Sequence, residues 1–173
     1  MGNKVYSPEF RRRCMEMGTN GEELFQSLTQ AIKSSKIDDY NHVDFFWGEK
    51  RVDVKGYKPS HQRGFILLEM VNVQGRPGWC SRDSQATHIA FQMSDCFYIF
   101  EKESLREFVI ERCGRDLNVL REDGLARKRG YDNILYMYLG REYRRDIFCY
   151  VKLEDLLSSV DFEVLSFDNK ENS

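Results

Sequence analysis

The stretch from His42 to Gly56, HVDFFWGEKRVDVKG, constrains this chain more than any other. Apolar and polar residues alternate on both sides of Gly48-Glu49, which is the period of a half-buried β-strand. A Gly-X pair suits the two-residue type II′ turn of a hairpin. With that turn Trp47 pairs with Lys50, and Asp44 falls opposite Asp53. Val43, Phe45, Trp47, Val52 and Val54 then share one apolar face bound for the core. The other face holds His42, Asp44, Phe46, Arg51, Asp53 and Lys55. A longer loop keeps both sets but sets Asp44 against Lys55.

Two carboxylates facing each other across strands repel by a few tenths to about 1 kcal/mol. A cation between them reverses the sign. Hard divalent ions take oxygen ligands, and Mg²⁺ uses one or two carboxylates plus water and phosphate. Lys55 lies two residues beyond Asp53 on the same face, about 7 Å along the strand, where it can hold a water or a phosphate oxygen. The same residues also read as an ordinary solvated hairpin face. Glu69 bears on the choice. It sits within residues 65–73 (FILLEMVNV), a nearly continuous apolar run expected of a strand covered on both faces. A carboxylate buried there protonates or finds a cation. If this strand lies beside the hairpin, the cation is a metal ion or Lys55; otherwise Glu69 faces solvent or an arginine.

Around the hairpin the chain reads as helix, then a meander of strands, then helices. Leu24, Phe25, Leu28, Ala31 and Ile32 form an apolar stripe over residues 21–34, with Thr19 or Asn20 as cap. Strands are expected at 87–92, 96–100, 133–139 and 146–151, and helices at 103–113 and 153–159. This order implies an α/β or α+β fold with a mixed sheet. A length of 173 residues fits one domain, with a core from about 20 to 157 and a polar tail over 168–173. The five cysteines include no C-x-x-C pair and read as reduced thiols. No apolar run is long enough to span a bilayer, and the first residues lack a signal-peptide pattern, so a cytoplasmic location is expected.

The net charge of −2 conceals an uneven distribution. Arg127, Lys128 and Arg129 lie near Tyr131, and Arg141, Arg144 and Arg145 flank Tyr143. Cations interleaved with aromatics suit phosphate contacts and base stacking in DNA binding. They equally suit a solvated edge balanced by Glu122, Asp123 and Glu142.

The order of these segments resembles a known family. HVDFFWGEKRVDVKG, then LLEMVNVQGRPGWC, then ATHIAFQ is similar to the PD-(D/E)XK nuclease superfamily, and within it to small phage-type endonucleases. Val43 stands before Asp44 where a proline is usual, and His88 where an acid would precede the I-A-F strand. The resemblance implies a restriction-endonuclease-like core, a mixed central sheet flanked by helices. It also implies hydrolysis of DNA phosphodiester bonds with Mg²⁺ or Mn²⁺. Asp44 and Asp53 would be metal ligands, Lys55 would position or activate the attacking water, and Glu22 or Glu23 would bind metal through water. Glu69 would join the catalytic group. Many such cores pair as a homodimer. The alternative reading is a non-catalytic DNA-binding or protein-interaction module that keeps the same core.

Overall fold

A computed structural model describes residues 8–113, 126–128, 135–141 and 145–167. Among the described residues five helices, α1 (Pro8–Thr29), α2 (Lys36–Tyr40), α3 (Pro59–Gln62), α4 (Lys102–Cys113) and α5 (Leu153–Ser159), accompany ten strands. The strands are β1 (Ile32–Lys33), β2 (Phe45–Trp47), β3 (Lys50–Lys55), β4 (Phe65–Val71), β5 (His88–Gln92), β6 (Cys96–Glu101), β7 (Ala126–Lys128), β8 (Leu139–Arg141), β9 (Ile147–Lys152) and β10 (Phe162–Ser166). The class is mixed α+β. One sheet runs β1-β2-β3-β5-β6-β10, and a second runs β4-β9-β8-β7. Pairing is antiparallel except between β3 and β5 and between β7 and β8.

The hairpin forms with the expected turn. Trp47 pairs with Lys50, Phe46 with Arg51 and Phe45 with Val52. Gly48 carries a φ of +58, as the first position of a type II′ turn requires. Its apolar face meets α1 in a cluster of Phe25, Ala31, Phe45, Val52, Val54, Ala90, Phe97 and Ile99. The opposite face of the six-stranded sheet meets β4 and β9 in a larger cluster that includes Ile66, Leu68, Trp79, Ile89, Phe91 and Phe100; α4 and α5 close it with Leu105, Phe108 and Leu156. Helices and a second sheet thus cover both faces of the sheet that carries the hairpin.

Several expectations shift. The first helix begins at Pro8, where a proline's missing N–H costs nothing, so Thr19 and Asn20 lie inside it rather than capping it. It ends at Thr29, because Gln30 adopts a left-handed φ of +53. Ala31 still packs in the core, whereas Ile32 is exposed on β1. The polar break that follows contains α2, held by a capping box in which the Ser35 side chain accepts from the Asp38 N–H and Asp38 returns the bond. Residues 135–138 are not strand, and β10 completes the sheet edge beyond β6. The segment 65–73 does not lie beside the hairpin. β4 pairs with β9 in the second sheet, and β5 takes the place next to β3. Nor is β4 covered evenly: Ile66, Leu68 and Met70 are buried, while Phe65, Leu67 and Glu69 are half-buried.

Candidate functional site

Asp44 stands where β2 and β3 part. After the Phe45–Val52 pair, an antiparallel ladder would give the Val54 amide to Val43. Val43 is engaged elsewhere: its N–H goes to the Asp38 carbonyl at 2.9 Å, and its own carbonyl accepts from Ser34 Oγ. The Asp44 carboxylate fills the vacancy, and its Oδ2 accepts the Val54 N–H at 2.7 Å. Its backbone N–H donates to the Val52 carbonyl at 2.9 Å. His42, at a left-handed φ of +64, turns the chain into this position from α2. The two aspartates therefore meet through a side chain inserted at the end of the ladder, not as a cross-strand pair.

Asp53 and Lys55 alternate with Val52 and Val54, so they project into the core between the sheets. Asp53 is only 2% exposed. Lys55 Nζ donates to its Oδ1 at 2.6 Å, and the same ammonium lies 5.2 Å from the ring centre of Trp79. Asp53 Oδ2 is buried with no N–H or hydroxyl donor among the described residues. The Asp44 carboxyl lies within hydrogen-bonding reach of Asp53 and donates to it when protonated.

The electrostatics follow from this crowding. Burial, and after it the charge of Asp53, pushes the Asp44 carboxyl up to about 7. Burial also raises Asp53, against the pull of Lys55. For Lys55, burial alone would favour the neutral amine; the carboxylates of Asp53, Asp44 and Glu69 outweigh it and hold the ammonium above its ordinary value. Glu69 acts on Lys55, Asp53 and His42, so it joins the site from the second sheet rather than along a sheet edge. Glu22 is raised by burial and then by Asp44, and it also pairs with Lys33 at 3.3 Å. Glu23 is exposed to solvent. Of the two first-helix acids, Glu22 is the one coupled to the site.

Glycines bring these parts together. A Cβ on Gly56, the residue after Lys55, would lie 2.2 Å from the Met17 carbonyl oxygen, and one on Gly21 would lie 2.8 Å from Gly56 Cα. Only bare backbone lets α1 press onto the end of β3. A Cβ on Gly78 would lie 2.5 Å from the Glu69 carbonyl oxygen. That close approach holds Trp79, which is buried, over Lys55. The signal was present as a glycine directly after D-V-K and another directly before Trp79. His61, which carries no signal in sequence, is buried with Nδ1 2.9 Å from the Gln92 carbonyl oxygen, and burial pushes it down to about 4. Its role is structural.

Among the described residues no group of three or more His, Cys, Asp or Glu side chains is arranged to hold a metal ion. The Asp44–Asp53 pair alone still fits Mg²⁺, which takes one or two carboxylates and fills its remaining positions with water and phosphate. Two features would be relieved by a cation: the buried Asp53 Oδ2 without a donor, and the Asp44 carboxyl forced toward its neutral form.

The strands that carry three of the basic residues are not among the elements that build the site. Arg127 and Lys128 lie on β7, and Arg141 on β8, at the far side of the second sheet. At a strand spacing of about 4.8 Å, β7 is roughly 14 Å from β4. Arg145 is exposed, with its aliphatic stem against Gly75. Arg129 and Arg144, with Tyr131 and Tyr143, lie outside the described residues. None of the described helices is long and apolar enough to cross a membrane. Comparison of the chain with protein-family models, with curated proteins and with solved structures finds no match in any of the three.

Proposed function

We propose that this chain is a metal-dependent endonuclease that hydrolyses DNA phosphodiester bonds with Mg²⁺ or Mn²⁺. The observation that carries the reading is the Asp44 carboxyl drawn onto the buried Asp53–Lys55 pair. Such an arrangement is costly unless a cation uses it. The parallel β3–β5 pair, covered by α1 on one face, supports a restriction-endonuclease-like core. Asp44 and Asp53 would hold the cation. When bound, the cation polarises the scissile phosphate and lowers the pKa of a water.

The chain's own groups do the rest. Lys55 stays charged because three carboxylates surround it, so it serves as a fixed positive donor to phosphate oxygens and not as a base. Glu69 helps to hold that charge, and Glu22 adds negative potential beside Asp44. Trp79 covers Lys55 and confines its swing. Arg127, Lys128, Arg129, Arg141, Arg144 and Arg145 are the candidates for backbone contacts with longer DNA.

A second reading has one observation in its favour. The Asp53–Lys55 ion pair is already closed. That suits a non-catalytic module that keeps the core for binding. Incubating the protein with plasmid, linear, single-stranded and branched DNA in Mg²⁺ or Mn²⁺ decides between them. The endonuclease cleaves at least one substrate, and Asp53→Asn and Lys55→Met lower the rate by at least a hundredfold. Equal products from parent and both variants leave the binding module.

A further inference from the structure

Outside the acidic cluster, one exposed aromatic among the described residues is unexplained by packing. Tyr40, the last residue of α2, is 63% exposed, and the Arg76 guanidinium lies 5.1 Å from its ring centre. Ile37, one turn earlier on the same helix, is exposed as well. A side chain this open contributes little to the core, yet its support is well fixed. The Ser35–Asp38 capping box holds the start of α2, and the Asn41 side chain donates to the Ile37 carbonyl at 3.0 Å. Arg76 is held in turn by Asn72, whose Oδ1 accepts from the Gln74 and Arg76 amides at 2.9 and 3.1 Å.

Both residues ride on segments that build the acidic site. Tyr40 stands four positions before Asp44, a span of at most about 14 Å. Arg76 precedes Pro77, whose carbonyl oxygen lies 3.0 Å from His42 Nε2, and Trp79 follows soon after. His42 therefore ties the two segments together beside Asp44.

We infer that the Tyr40 ring and the Arg76 guanidinium form a platform on which an unpaired base stacks, so that the polynucleotide taken at the Asp44–Asp53 site is single-stranded or locally opened. The platform's role as a substrate element rests on the nuclease reading above. A duplex keeps its base faces against one another, so an exposed ring at the site's edge gains contact only with a base that has left the stack. Asp39 directly precedes Tyr40 on α2 and opposes phosphate there, while Arg76 brings a positive charge to the ring.

The test is fluorescence anisotropy of a labelled oligothymidylate and a duplex of equal length, with the full chain, in EDTA and again in Ca²⁺. The single strand binds more tightly than the duplex. Tyr40→Ala weakens the single strand by about tenfold, the size expected for one stacked base, and Tyr40→Phe retains binding because the ring is kept. Arg76→Ala weakens it less. Thermal melting, unchanged for these exposed positions, guards against misfolding. A duplex bound as tightly as the single strand, Tyr40→Ala equal to parent, or no binding of either probe overturns the platform. Mg²⁺-dependent cleavage is read on the same samples. No cleavage with the binding pattern intact removes the nuclease reading alone, and cleavage of single strands unaffected by Tyr40→Ala removes the platform alone.

Discussion

The two faces of strand β3 differ by one residue in register and by everything in chemistry. Val52 and Val54 point toward α1, where the Phe25 ring packs 5.7 Å from Phe45 and 5.4 Å from Phe97. Asp53 and Lys55 point the other way, into a core that also holds Ile89, Phe91 and Trp79. The first face gains stability from apolar area and ring contacts. The second gives some of that up, because a buried ion pair contributes little net stability and often less than apolar residues of the same volume. One strand thus fixes the fold with its even-numbered residues and holds reactive groups with its odd-numbered ones.

The largest effects break this contrast outright. Phe45→Ala, on the α1 side, costs about 3–5 kcal/mol in urea unfolding. On the other side, Lys55→Met alone leaves Asp53 buried without its cation and costs a similar 3–5 kcal/mol. The double variant Asp53→Leu with Lys55→Met recovers most of that loss, while no second change rescues Phe45→Ala. Failure of the double variant to recover would show that the Asp53–Lys55 pair is structural after all.

A pH series sharpens the contrast. Asp44 titrates at about 7 in the folded chain against an ordinary 3.8. Between those values the folded state holds a proton that the unfolded chain has released. Stability from this group is therefore complete below 3.8 and falls as pH rises toward 7. His61 works in the opposite sense. Held near 4 against an ordinary 6.5, it costs stability as pH drops from 6.5 to 4. Melting curves of Asp44→Asn should lose the part of the parent's slope that falls with pH between 3.8 and 7, and those of His61→Gln the part that rises between 4 and 6.5. Mn²⁺ at pH 8 should raise the melting temperature of the parent, by about 2.7 kcal/mol of stability at a hundred times its Kd, and leave Asp44→Asn unmoved.

Much of this was legible beforehand and some was not. The hairpin turn, its register and its two faces follow from alternation around Gly48-Glu49, because a period of two admits only two side-chain sets. Bringing Asp44 to Asp53 was also within reach, although the route was not. Ser34 and Asp38 draw Val43 out of the ladder, and such competition for backbone partners leaves no periodic trace. The placement of β4 was hidden for a related reason: FILLEMV pairs as readily with β9 as with a hairpin, and sequence order alone does not choose between neighbours. β10 went unseen because its Phe162, Glu163 and Val164 are all exposed, so the alternation that betrays a half-buried strand is missing.

Gly56 connects the two faces, and replacing it is a milder break. Its missing Cβ lets the Met17 carbonyl of α1 close on the end of β3, directly after Lys55. Gly56→Ala forces helix and strand apart and costs about 1–3 kcal/mol as overpacking. Because the displaced strand end carries Lys55, divalent-dependent cleavage should fall further than stability alone predicts. Gly48→Ala, with open space around its Cβ but a φ of +58, should reduce stability without that additional loss of activity. Equal ratios of activity to stability in the two variants would separate the α1 contact from the site.

Ser35→Ala carries the smallest expected change and probes the site from outside both cores. The Ser35 hydroxyl accepts from the Asp38 amide and donates to the Asp38 carboxylate at 2.7 Å, fixing the first turn of α2. Loss of such a cap costs about 0.5–2 kcal/mol. None of α2 is buried, so unfolding of the whole chain should register only the low end of that range. Its local effect runs through the Asp38 carbonyl, which holds the Val43 amide away from β3 and leaves the Val54 amide to Asp44. With the cap gone, Val43 is freer to rejoin the ladder and compete with the Asp44 side chain for that amide. The Asp44 titration, followed by carboxyl NMR, should then broaden or shift while the melting temperature scarcely moves. An Asp44 titration identical to the parent's would mean that α2 merely passes by the site, and that the parting of β2 from β3 is held by Ser34 alone.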